Sequence, residues 1–229
     1  MNIRIAVLFT LILGFLPGCA TIQSPLSLTP NALNTPSCKV GVMMTDLPKV
    51  GTWFPGANCL LCLAVASAAN SKLTDYTRTL PYENLPKLKN QVVEVLRQKG
   101  ATATVIEDKI DFNKLPNYKS KGSNVAQKDY TSLKSKLNVN KLVVISLSGI
   151  GISRPYASYI PTGEPMAEVS GLAYLINLDN NTYEWYLPID VSKRSDGKWD
   201  EPPSFPGLTN AYFQALELTA DTITKPLST

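Results

Sequence analysis

The sequence has no histidine in its 229 residues. Without an imidazole there is no Ser-His-Asp or Cys-His pair, and the commonest nitrogen ligand for transition metals is missing. Charge is also sparse: 17% of residues are charged and the formal net charge is +4, which argues for neither a nucleic acid nor an anionic lipid as partner. The acidic residues show no paired spacing that nominates a general acid and base. The apolar run Ile5 to Phe15 falls well short of the roughly 20 residues that span a bilayer as a helix. Cysteine is scarce, with four residues, Cys19, Cys38, Cys59 and Cys62. A metal site is therefore not expected, since zinc wants four ligands and only three cysteines lie in the body of the chain. No cofactor is expected either, because Gly149 to Gly151 follows an apolar run as a dinucleotide fingerprint would, yet lacks a third glycine and a following helix. It reads as a bulge or a strand bend.

What is present begins with "MNIRIAVLFTLILGFLPGCA": a basic residue, Arg4, a short apolar run, then Leu16-Pro17-Gly18-Cys19. This is the layout of an exported signal peptide. The Leu16, Gly18, Cys19 ending resembles the lipobox of bacterial lipoproteins, which implies acylation of the Cys19 thiol, cleavage before Cys19, and acylation of the new amine with a fatty acid such as palmitate. Each buried methylene contributes about 0.8 kcal/mol, so several acyl chains anchor a protein without a membrane-spanning helix. Ala20, in place of an aspartate, implies the outer membrane. The expected organisation is a signal peptide over 1–18, a flexible lipid-anchored tether over 19–37, rich in Ser, Thr, Pro and Asn, and a single periplasmic domain over 38–229.

Within that domain, "CKVGVMMT" from Cys38 reads as a first strand. "WFPGANCLLCLAVASAAN", Trp53 to Asn70, follows as a Cys-containing helix expected to be buried. Leu85, Leu88, Val92, Val95 and Leu96 recur at helical spacing, with Gly100 as the stop. "ATATVIED" from Ala101 alternates into a strand. The stretch from Lys109 to Lys128, carrying five lysines, reads as a mobile solvated loop. Tyr130, Leu133 and Leu137 predict a short helix capped by Asp129, and Lys141 to Ile152 a buried strand. "AEVSGLAYLINL" and "TYEWYLPIDV" predict a hairpin turning at Asp179-Asn180-Asn181. Leu208, Tyr212, Ala215, Leu216, Thr219 and Ile223 mark one side of a closing helix. The fold class is α/β, with a mixed sheet of about five strands and helices packed on it.

The succession of a helix ending "LRQKG", a strand, a short helix running into "LNVNKLVVISLSGIG" and a hairpin "GLAYLINLDNNTYEW" that carries Trp185 resembles the periplasmic domain of CsgG-like and LpoB-like bacterial lipoproteins. That resemblance covers roughly Cys38 to Val191 and implies a non-enzymatic role, in binding other envelope proteins or in assembly. It transfers no catalytic residue.

Cys59 and Cys62 carry the only dithiol spacing. Leu60 and Leu61 between them form an apolar setting that opposes thiolate formation, and an exported compartment favours a disulfide; Cys38, Cys59 and Cys62 are its candidates, with pairing left open. Exposed aromatics near Arg154 would suit a contact surface, and the long connection Ser153 to Pro165 offers Arg154, Tyr156 and Tyr159 for partner contact. The expected function is a lipid-anchored envelope protein that binds another envelope protein or itself, not an enzyme. The alternative is a thiol-disulfide oxidoreductase using Cys59 and Cys62.

Overall fold

A computed structural model describes residues 23–33 and 38–228. Cys19 and the expected signal peptide lie outside them. The domain holds a mixed sheet with the order β3-β1-β4-β7-β8, and a short strand β2 that also pairs with β4. Its strands are β1 (Lys39–Met44), β2 (Gly51–Trp53), β3 (Thr102–Val105), β4 (Lys141–Ser153), β7 (Met166–Asn177) and β8 (Thr182–Arg194). β1 runs parallel to β3 and β4, β2 runs parallel to β4, and β7 runs antiparallel to both of its neighbours, β4 and β8. The parallel centre is covered on both faces, and so β1 and the first half of β4 read as nearly unbroken apolar runs.

Helices α3 (Leu88–Gln98) and α5 (Pro206–Ser228) cover one face. Leu88, Val92 and Leu96 are buried there beside Leu85, as their spacing predicts, with Val95 at the edge of the same core. All six residues expected on the inner side of α5 are buried. Gly100, with φ +86, ends α3 in a backbone conformation that suits glycine. The other face is covered by the short helix α4 (Leu133–Leu137) and by the segment leading into it, which bury Ala126, Tyr130 and Leu133 against Met43, Val144, Tyr174 and Ile176.

Three expectations are corrected here. The Lys109–Lys128 stretch is not a free loop. Its scattered apolar residues Ile110, Phe112, Leu115 and Ala126 pack on the sheet between solvated lysines, and Asn117 and Val125 form bridges to Lys128 and Thr182. Asp129 does not cap α4; its carboxylate instead accepts from the N–H and hydroxyl of Thr131. Of the stretch expected to be a tether, residues 23–33 lie against the domain: Leu26 bridges Tyr186 on β8, and Ala32 and Leu33 are buried.

The glycines at 149–151 do mark a bulge, between Leu147 and Gly149. Just beyond it β2 joins β4 at Gly51 and Gly151, where a Cβ on Gly151 would sit 1.9 Å from the Gly51 carbonyl oxygen. Only glycine admits that approach.

Candidate functional site

The far end of β4 carries a small module made from two separate parts of the chain. The Cys-containing helix α1 (Leu60–Ala69) is followed directly by α2 (Ser71–Thr77). The connection after β4 folds into a two-stranded hairpin, β5 (Tyr156–Ala157) and β6 (Ile160–Pro161). Tyr156 is buried rather than displayed: it packs on Ala57, Cys62 and Ala66, with Phe54 edge-on at 5.7 Å. Asn70, itself buried, donates to the Tyr156 hydroxyl at 2.7 Å and accepts from Arg154 Nη1 at 2.9 Å. The Arg154 guanidinium also lies 4.8 Å over the Trp199 ring. Arg154 and Tyr156 thus join hairpin to helix. Of the three residues expected at a contact surface, only Tyr159, at the hairpin tip, faces water.

α1 corrects another expectation, since it is mostly exposed. A helix reading LLCLAVASAA is apolar nearly all round, so periodicity cannot choose its inner face. The choice falls to size. Cys62, Ala66 and Asn70 recur every four residues, and these small positions let the helix approach Tyr156 closely. The large residues are left outside: Leu60 is 91% exposed and Leu61 67%, with Leu63 and Val65 also exposed. At the hairpin tip Ile160 is 63% exposed and Tyr159 55%. These six are all but one of the exposed large hydrophobic residues among those described, the other being Leu218. No charged residue occurs from Val50 to Ser71.

Cys59 and Cys62 are joined as a disulfide, and Cys38 is a buried free thiol. Burial pushes the Cys38 thiol pKa up, against the opposing pull of nearby Lys141. Cys59 is the N-cap of α1, its Sγ accepting from the Cys62 N–H at 2.9 Å. The bridge closes the first turn of a helix that lacks a Ser, Thr, Asp or Asn cap. Cys59 is exposed and Cys62 buried. Among the described residues there is no cluster of three or more His, Cys, Asp or Glu side chains able to hold a metal, and no helix long and apolar enough to cross a membrane.

Trp185 is in the core, while Tyr183 and Tyr186 join Tyr130 and Tyr174 near the start of β8, away from the hairpin.

No family model matches the sequence, and no curated protein matches it. Solved structures similar to this chain include the PelC dodecamer from Paraburkholderia phytofirmans, 15% identical with a TM-score of 0.32, covering 91% of this chain and 94% of that one. A putative neuraminyllactose-binding hemagglutinin homolog from Helicobacter pylori is 14% identical with a TM-score of 0.39, covering 90% and 91%. Lipoprotein GNA1162 from Neisseria meningitidis is 14% identical with a TM-score of 0.28, covering 79% and 96%. At these TM-scores the likenesses decide nothing about the chain.

Proposed function

We propose that this is a lipid-anchored, non-enzymatic protein of the bacterial envelope, held at the outer membrane through Cys19, that works by docking another envelope protein, or a second copy of itself, on the α1–hairpin module. The observation that carries the reading is the gathering of Leu60, Leu61, Leu63, Val65, Tyr159 and Ile160 on one module, whose helix α1 bears no charge. Exposed apolar groups scattered singly need no explanation, whereas their concentration on one element marks a contact site. The anchoring rests on Leu16, Gly18 and Cys19, and the resemblance to CsgG-like and LpoB-like lipoproteins agrees with a role in binding or assembly.

The oxidoreductase alternative has one observation in its favour, the exposed Cys59 sulfur at a helix N-terminus. The bridge has a structural role of its own, because it holds Cys59 Sγ on the Cys62 N–H at 2.9 Å and closes the first turn of α1.

A photo-crosslinking residue at position 61 in intact cells is expected to capture a discrete product, whereas one at Lys87, outside the module, is not. Changing Leu60, Leu61 and Leu63 together to Ser should abolish capture from Ile160 with little change in melting temperature, because Leu60 and Leu61 are largely in water and Leu63 is about half exposed. Capture that survives the triple change, or catalysed reduction of a disulfide substrate that is lost with Cys59→Ala, would overturn the reading.

A further inference from the structure

β8 is the outer strand of the sheet, and two segments distant in sequence lie along its open edge. Leu26 exchanges backbone hydrogen bonds with Tyr186, and the Tyr183 N–H donates to the Asn124 carbonyl. The side chains of Gln23 and Asn124 tie the two segments together, Nε2 donating to Oδ1 at 2.9 Å. Between them opens a cavity of about 810 Å3, within the size range of small-ligand clefts.

Its lining has two kinds of group. The rings of Tyr183 and Tyr186 meet at 5.0 Å and 65°, and Tyr186 stacks on Tyr174 at 6.3 Å, so both rim tyrosines are braced from behind. Around them stand the neutral amides and hydroxyls of Gln23, Ser24, Asn124 and Gln127. Among the described residues no carboxylate lines the cavity. The one charged side chain among the described lining residues, Lys128, donates to the carbonyls of Asn113 and Leu115 at 2.9 and 3.0 Å. An anion would find a single ammonium with two of its three hydrogens already donated, and a cation no carboxylate among the described residues.

Burial raises the phenol pKa values of Tyr183 and Tyr186 above their ordinary value. Both hydroxyls therefore stay protonated and able to donate at neutral pH. Neither makes a hydrogen bond to another described residue.

A ligand suited to this lining is uncharged, offers a flat C–H face to aromatic rings, and carries many hydroxyl or amide groups around its edge. We infer that the cavity binds a neutral glycan segment, its sugar faces against Tyr183 and Tyr186 and its hydroxyls on Asn124, Gln127 and Gln23. The site is separate from the α1–hairpin module and does not depend on the reading given for it.

The test is calorimetric titration of the full-length chain carrying Cys19→Ser with tetra-N-acetylchitotetraose, with cellotetraose and with phosphatidylglycerol vesicles. Saturable binding of at least one tetrasaccharide is expected. Tyr186→Ala should weaken it about tenfold or more. Ser24→Trp, an exposed position at the cavity wall, should do the same by filling the space. If Tyr186→Ala lowers the melting temperature, Ser24→Trp decides, because Ser24 supports no core contact. Absence of sugar binding, binding that survives Ser24→Trp, or binding to the vesicles alone would overturn the assignment.

Discussion

Lys141 is a buried cation at the first position of β4, and its surroundings explain how the chain tolerates it. Its ammonium meets Glu184 Oε2 and the Ala32 carbonyl, both at 2.5 Å, and the other Glu184 oxygen accepts from Asn177 Nδ2 at 2.9 Å. One side chain thus joins β4 to β8 and to the segment ending at Leu33. Breaking a buried pair leaves an uncompensated charge, at a cost of about 3–5 kcal/mol. Lys141→Met is expected to destabilise the domain by that order in urea unfolding and to speed proteolysis near Asn31. Adding Glu184→Gln should restore part of the loss, since the orphaned carboxylate is then gone. A double variant no more stable than Lys141→Met would show that the packing of the lysine stem, not its charge, is what counts.

At the scale of elements, legibility followed whether a segment had a polar side. α3 and α5 each carry one apolar and one solvated face, and the inner residues expected from their spacing are the buried ones. β4, β7 and β8 were equally plain, because long β-rich runs flank a turn at Asn181, which adopts φ +59. α1 has no polar face, so its orientation depends on Tyr156, 86 residues beyond Asn70, and no local pattern encodes that contact. β2 is three residues long and exists because two glycines, Gly51 and Gly151, meet. The packing roles of Arg154 and Tyr156 were hidden for the same reason: their partners come from α1, Asn70 and the distant Trp199. The disulfide belongs to this element as well. It closes a loop of few residues, for which the chain-entropy account gives about 2 kcal/mol. Cys59→Ala with Cys62→Ala should therefore speed amide hydrogen exchange in α1 and weaken the hairpin contact, with β4 and β7 left as protected as before. Uniform loss of protection across the sheet would mean that α1 unfolds only with the whole domain.

For the molecule as a whole, the sheet separates two ends. Leu26 is in register with Tyr186, Tyr186 with Tyr174, and Tyr174 with Val144. Ser153, where the hairpin module begins, lies nine residues further along β4, about 30 Å at the rise of an extended strand. Gln23 lies four positions after Cys19, a reach of at most about 14 Å, so an acyl anchor at Cys19 would stay near the β8 edge. If the domain hangs from that edge, the apolar module points away from the bilayer that holds it, which is the placement a protein partner requires. The prediction is positional. With a spin label at Ile160→Cys in the lipidated protein on vesicles, a water-soluble nickel chelate should act strongly and a lipid-soluble relaxer such as oxygen weakly. The reverse at 160, protection from nickel and strong relaxation by oxygen, would place Leu60, Leu61 and Ile160 in the bilayer itself. The exposed leucines would then be a second membrane contact, and the docking role would have to be given up.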